Sequence, residues 1–301
     1  MKASTARSIG VSQRTRQSMV LMVPFFLFFL VFTVLPVVLS IVFSFTSYDM
    51  LNAPKFAGLD NYIRMILDDD VMLTAIKNTL IFAMITGPIG YIASFLVAWL
   101  INDLPPMGRT LTTIVFYAPA LSGQAYTMWS YVFSSDSYGI INAFLINLGF
   151  IKEPIAWLTD PVYVMPTLII VQLWLSLGTS FLAFIAGLQN VDSSLYEAAA
   201  IDGVQNRFQE LWYVTLPSMV PQLVFGAVMT IVSSFSVSDV SINLAGFPST
   251  EYCAETIVTH IMDYGTIRFE MGYACAMATV LFAAMYITKR VVTGFLGRIG
   301  R

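Results

Sequence analysis

Residues 197–217 read "EAAAIDGVQNRFQELWYVTLP". The stretch is small, polar and rich in alanine, and it stands between two long apolar runs. Ser194 lies three residues before Glu197, the spacing at which a Ser oxygen accepts from a backbone N–H and a Glu reaches back to the cap. That pattern predicts a short helix from Ser194. Gly203 is placed to end it, because glycine takes the left-handed turn without steric cost. A second short helix is expected over 206–213, with Pro217 halting it and opening the next apolar run. Ala198, Ala199 and Ala200 carry almost no side chain, so another backbone can come close. Glu197 and Asp202 add two carboxylates. A small knob with an acidic rim suits docking into another protein's cleft; an ordinary interfacial helix with a cap and a stop has the same local sequence.

The flanking walls explain why such a knob stands out. Of the 301 residues, 57% are hydrophobic and only 11% charged, against about a quarter charged in a soluble domain. Mean hydropathy is +0.76. The chain cannot cover itself with polar surface and must face lipid. A membrane helix needs about 20 apolar residues, and six stretches qualify: 18–45, 78–101, 111–133, 162–188, 219–237 and 271–295. The first is longer than the roughly 7–15 residues of a signal-peptide core, and no small-residue cleavage site follows it, so it reads as a retained anchor. The expected fold class is therefore an all-α integral membrane protein with six transmembrane helices. "GIINAFLINLGF" (139–150) has Ile140, Ile141, Phe144, Leu145 and Leu148 at helical spacing but is too short to span; an interfacial or packed helix is expected.

Lys and Arg orient the spans. Lys2, Arg7, Arg14 and Arg16 precede the first, and Lys289, Arg290, Arg298 and Arg301 fall at the end of the last. Arg109 and Arg207 lie on that same side, whereas Lys55, Arg64, Lys77, Lys152 and Arg268 are spread over longer loops opposite. Both termini and residues 197–217 are thus expected on the cytoplasmic side. The net charge of −3, with no basic patch carrying aromatics, argues against nucleic acid. Cys253 and Cys275 are far apart and form no disulfide framework or zinc pattern. The single histidine, His260, is in a loop and reads as a surface residue. The 16 methionines show no metal-path spacing, so no metal site is expected.

Spans one to four are almost free of charge, and Asp239, at the outer end of the fifth, comes closest to an ionisable group within the membrane. An ion-coupled carrier usually needs an ionisable group inside the membrane. No G-x-x-x-x-G-K-[ST] occurs, so uphill transport would need a separate ATPase. "TIVSSFSVSD" (230–239) is the most polar stretch within a span: Thr230, Ser234 and Ser238 recur about every four residues, beside Phe235 and Asp239. "VQLWLSLGTS" (171–180) adds Gln172, Trp174, Ser176 and Thr179. Hydroxyl partners with an apolar ring face suit a sugar path; Ser and Thr also pack helices and bond their own carbonyls.

The opening stretch resembles the EAA loop of binding-protein-dependent ABC transporter permeases. The family pattern is Glu-Ala-Ala, three residues, Gly, nine residues, Ile or Val, one residue, Leu-Pro. Here Glu197-Ala198-Ala199 and Gly203 match, as do Val214, Leu216 and Pro217, but ten residues separate Gly203 from Val214. An extra residue in the second short helix accounts for the difference. Residues 44–66 and 269–282 resemble the corresponding segments of carbohydrate permeases of the maltose-type first subunit. Gly246-Phe247-Pro248 stands where many relatives have Gly-Gly-Pro, so no contact at the outer rim is carried over.

The resemblance implies an ABC type I importer fold: a cytoplasmic N-terminal tail over 1–17, then one permease domain over 18–301 with its coupling loop at about 190–218. It implies that Glu197, Ala198, Ala199, Asp202, Gly203, Leu216 and Pro217 engage an ATPase, with substrate contacts on spans four and five. The implied partners are a second homologous permease in a heterodimer, two cytoplasmic ATPase subunits that hold the ATP and Mg²⁺, an external solute-binding protein, a carbohydrate and membrane lipid. The location is a bacterial or archaeal plasma membrane. No catalytic residue and no cofactor are expected on this chain. An ATPase-independent secondary carrier for a small polar solute is the alternative. An intramembrane enzyme is disfavoured, because no histidine lies in a span and no H-E-x-x-H occurs.

Overall fold

The computed structural model describes residues 19–298. The expected tail over 1–17, with its four cations, lies outside the described residues, as does Arg301. Among the described residues, five helices are long and apolar enough to cross a membrane: Met19–Phe43, Asp70–Asn102, Val164–Gln189, Val220–Ala245 and Met271–Leu296. The elements that carry the argument are, in chain order, α1 (Met19–Phe43), a two-residue strand β1 (Thr46–Ser47) paired antiparallel with β2 (Lys55–Phe56), α2 (Asp60–Leu67), α3 (Asp70–Asn102), α4 (Pro106–Leu121), α5 (Ala125–Val132) and α6 (Ile140–Asn147). They continue with α7 (Val164–Leu175), α8 (Thr179–Gln189), α9 (Ser193–Ile201), α10 (Arg207–Glu210), α11 (Val220–Phe235), α12 (Asp239–Ala245), α13 (Ile257–Met262) and α14 (Met271–Leu296).

Of the six expected spans, the third is not one long helix. Residues 111–133 fall in two shorter helices, α4 and α5. Pro119 sits two residues from the end of α4, and Ser122 is extended with ψ 110°. A proline ring excludes the normal helical carbonyl contact one turn back, and Gly123 beyond it has little helix preference. The stretch 162–188 is likewise divided, into α7 and α8 at Ser176–Gly178. The fifth, expected over 219–237, is α11, and a break at Ser236–Ser238 separates it from α12.

α3 is the mast of the bundle. Its 33 residues reach about 50 Å at 1.5 Å per residue. Asp69 caps its start, accepting from the Met72 backbone N–H at 2.9 Å. Its buried residues feed three apolar clusters. Met72 and Ala83 pack with Phe235, Tyr273 and Met277; Phe82 packs with Phe133, Leu168 and Val240; Phe95 and Ala98 pack with Phe181, Phe184 and Leu223. Gly226 on α11 lets α8 come close, since a Cβ there would lie 2.5 Å from the Phe184 ring. α1, by contrast, has no buried residue in its apolar window.

The expected non-spanning helix at 139–150 is α6. Ile140 and Phe144 are exposed, while Asn142 is fully buried. Its amide donates to the carbonyls of Ser134, Asp136 and Ile155, and its Oδ1 accepts from the Ile155 N–H and Trp157 Nε1. His260 also departs from expectation. It is 3% exposed, because the chain after α12 folds back over the start of α3. His260 Nε2 lies 3.0 Å from Asp69 Oδ2, and Nδ1 is 3.8 Å from Glu255. Tyr273 donates to the same Asp69 oxygen at 2.8 Å.

Candidate functional site

Two regions bring together the residues singled out in the sequence. The first is the helix–turn–helix 193–218. Asp192, not Ser194, caps α9: its carboxylate accepts from the Ser194 N–H at 2.9 Å, and this bond holds the carboxyl below the usual range. The box expected of Ser194 and Glu197 does not form, because Asp192 reaches the free N–H first and moves the helix start to Ser193. Glu197 is left exposed, together with Ala198, Asp202 and Gly203, while Ala199 turns inward. The helix ends in a Schellman turn. Val204 N–H bonds the Ala199 carbonyl and Gly203 N–H the Ala200 carbonyl, at 3.0 and 3.3 Å. Gly203 has φ +93°, a conformation that costs other L-residues roughly 1–2 kcal/mol. Asn206 then caps α10 through the Gln209 N–H.

The ten-residue interval is absorbed further on. Residues Leu211–Thr215 form a π turn, closed by the Leu216 N–H on the Leu211 carbonyl. A π turn holds one residue more than an α turn. Val214 and Thr215 remain buried, and Leu216 and Pro217 follow half-buried. The segment is fastened to the far end of α3: Arg207 pairs with Asp103 and lies over the Trp99 ring at 4.9 Å. Tyr196 and Thr215 share a 3.0 Å hydrogen bond between its two halves. These fastenings were not legible in the sequence, since Trp99 and Asp103 lie about a hundred residues upstream.

The second region is a cavity of ≈ 450 Å³ beside the breaks in the fourth and fifth spans. Of the nine residues expected on a substrate path, seven line it: Gln172, Ser176, Thr179, Thr230, Ser234, Ser238 and Asp239. Trp174 and Phe235 do not. Trp174 turns to Trp129, ring to ring at 5.3 Å. Phe235 is buried in the cluster with Tyr273 and Met277. The expected single helical face is also interrupted, since α11 ends at Phe235 and Ser238 lies beyond the break. The loop brings Ser238 and Asp239 back to the same cavity. Thr86, Tyr126 and Ser180 line it too and were missed; the polar Thr86 beside Gly87-Pro88 was the available sign.

The lining is hydroxyl-rich, but much of it is already engaged by the helices. Ser176 donates to the Leu173 carbonyl, Thr86 to Phe82 and Ser234 to Ile231. Ser180 bonds the Gly226 carbonyl and Thr230. Each hydroxyl keeps acceptor capacity for a visitor. Irregular backbone at such depth is tolerated where it lines a cavity. The arrangement offers a wettable, hydroxyl-rich cavity in which Ser238 donates a long hydrogen bond to Asp239 at 3.4 Å.

No protein-family model matches the chain. It is 35% identical over 264 residues to the probable ABC transporter permease protein YesP of Bacillus subtilis, covering 86% of this chain and 83% of that one. Against the lactose transport system permease protein LacF of Rhizobium radiobacter the identity is 31%, over 84% and 83% of the two chains. Against the arabinooligosaccharides transport system permease protein AraP of Halalkalibacterium halodurans it is 30%, over 91% and 87%. The fold matches a chain of a bacterial alginate ABC transporter, solved in complex with an alginate pentasaccharide-bound periplasmic protein, with a TM-score of 0.76 at 23% identity over 96% of both chains.

Proposed function

The chain belongs to the ABC transporter permeases, multi-pass membrane proteins, and from that premise we propose that it forms half of the path for a neutral carbohydrate in an ATP-driven importer. The observation that carries the reading is the presence in one chain of a hydroxyl-lined cavity between broken spans and an exposed, glycine-hinged helix pair fastened to α3. Relatives named for lactose and arabinooligosaccharides support the sugar class. The structural neighbour's transporter imports alginate, an acidic polysaccharide. Among the described residues no Lys or Arg lines the cavity, and Asp239 does, so a neutral sugar fits better than an anion. Uptake of a phosphorylated substrate by the intact system counts against this choice.

In this reading residues 18–301 are one permease domain with both termini cytoplasmic. Glu197, Ala198, Asp202 and Gly203 present the coupling surface to an ATPase, and Ala199, Leu216 and Pro217 seat it. A second homologous permease completes the pore. Two ATPase subunits hold ATP and Mg²⁺, and an external binding protein delivers the sugar. Chemistry is confined to the ATPases; this chain transmits movement. ATP-driven closure would pull the 193–218 segment and, through Arg207 and Asp103, the end of α3.

The test is gentle detergent extraction of the tagged chain from its native membrane. An ATPase and a second permease should come with it. In the reconstituted assembly, Gly203→Pro and Glu197→Lys should leave the chain in the membrane while ATP hydrolysis no longer drives uptake. Recovery of the chain alone from a preparation that still transports, or normal uptake in both variants, would sink the reading.

A further inference from the structure

A second cavity, also of ≈ 450 Å³, lies at the Asn102 end of α3. One wall is fixed: Trp99 and Asn102 of α3, Gln189 of α8, and Arg109 of α4. The other belongs to the 193–215 segment, through Ser193, Tyr196, Glu210 and Thr215. Its size falls in the range of about 300–1,000 Å³ typical of small-molecule pockets.

What separates this cavity from the one among the spans is the state of its polar groups. Arg207 and Asp103 neutralise each other, and Tyr196 bonds Thr215. Among the described residues, the side chains of Asn102, Arg109, Gln189, Ser193 and Glu210 have no hydrogen bond or ion pair, and Asn102 Oδ1 is buried without a partner. The fold leaves five polar side chains uncommitted around one space. Gln189 and Ser193 are exposed and the other three half-buried; the buried Asn102 Oδ1 is the atom that calls for a partner, since buried polar groups are normally satisfied.

The chemistry of the five defines that partner. One cation and one carboxylate cancel, so no net charge is demanded. Two amides, a hydroxyl, a guanidinium and a carboxylate offer donors and acceptors side by side. Flat amide and carboxylate groups meet neighbouring hydroxyls of a saccharide or polyol with paired hydrogen bonds. A phosphate would gain Arg109 but meet the Glu210 carboxylate.

We infer that this cavity binds a neutral saccharide or polyol from the cytoplasm and, when filled, holds the 193–215 segment against α3 and α8. It is a feedback site: imported sugar that accumulates on the ATPase side slows the movement that imports it. The inference rests on the proposed function for which end faces the cytoplasm and which solute gathers there.

The test uses the purified assembly in detergent without its binding protein, with lactose and xylitol as probes and potassium chloride of equal osmolarity as control. Backbone hydrogen exchange is followed over 186–215 and, separately, over 229–240. Either neutral probe should slow exchange several-fold over 186–215, and Asn102→Ala with Gln189→Ala should abolish that protection. Neither residue makes an internal side-chain bond, so folding and basal ATPase activity should be retained. In proteoliposomes, sugar on the ATPase side should lower ATPase activity in the native assembly and not in the double variant. No protection over 186–215, or protection that survives both substitutions, overturns the inference. Protection confined to 229–240 also overturns it while leaving the proposed function standing. Protection over 186–215 in a chain that brings no ATPase with it would keep the site and remove the importer reading.

Discussion

A carboxylate stands at each end of α3, and the two ends are built on different principles. Asp69 is buried and shared by the Met72 N–H, His260 and the Tyr273 hydroxyl. Asp103 meets Arg207 with both side chains about half exposed. The first end is locked by desolvated, mutually satisfying groups. The second is a fastening that water can compete with. A lever needs one fixed end and one that can be moved, and the difference matches that requirement: the part proposed to take force is the weakly tied one.

Breaking the fixed end should have the largest effect. Asp69→Ala strands His260 and the Tyr273 hydroxyl in a buried site, and losing one partner of a buried pair costs about 3–5 kcal/mol. A clear fall in the thermal midpoint of the detergent-purified chain is expected. A midpoint as high as that of the native chain would show that the cluster does not fix this end.

The same cluster should respond to pH. Burial pulls the His260 pKa down, but the hydrogen bond to Asp69 and the neighbouring Glu255 and Asp69 carboxylates outweigh it and hold it above the usual histidine value. Burial raises Asp69, and the bonds from His260, Met72 and Tyr273 more than reverse that. The histidine contribution is present in full below its ordinary value and is lost as pH rises through the raised pKa. The aspartate contribution is present above its ordinary value and is lost as pH falls through the lowered one. Stability should therefore decline on the alkaline side of the histidine range, and His260→Gln should flatten that decline. An unchanged pH profile would detach His260 from the fixed end.

At the movable end the effects should be local. Asn206→Ala removes the α10 cap, worth about 1 kcal/mol, and should speed backbone exchange over 205–212 with little change in the global midpoint. Arg207→Ala comes last. An exposed pair contributes roughly 0–1 kcal/mol, so stability should barely move, yet ATP-driven uptake should fall if this contact links the segment to α3. Uptake at the native level would confine that link to the Trp99–Phe208 ring contact and the packing of Leu211 and Leu216 against the cluster of Phe95 and Ala98.

The comparison also shows how much could be read beforehand. Gly203 was legible as a turn, because only a residue without a Cβ takes φ +93° at no cost. The helix on each side of it followed from local chemistry. Ser194 does not cap because Asp192, two residues earlier, has the extended backbone and the carboxylate that take the cap. Phe235 sat beside the right hydroxyls in sequence, but the helix turned it to the opposite side. His260 looked like a loop residue because its partner Asp69 is 191 residues away.

The sequence alone determined the membrane class, the apolar spans, the polar interval among them and most of the residue types that line the cavity between spans four and five. These follow from hydropathy, periodicity and short-range sterics, which act within a few residues. The tertiary structure decided where spans three, four and five break, which hydroxyls share one cavity, and that Asp69 is locked while Asp103 is only fastened. Those outcomes depend on contacts between segments far apart in the chain, where burial sets the strength of every polar interaction and no local pattern records it.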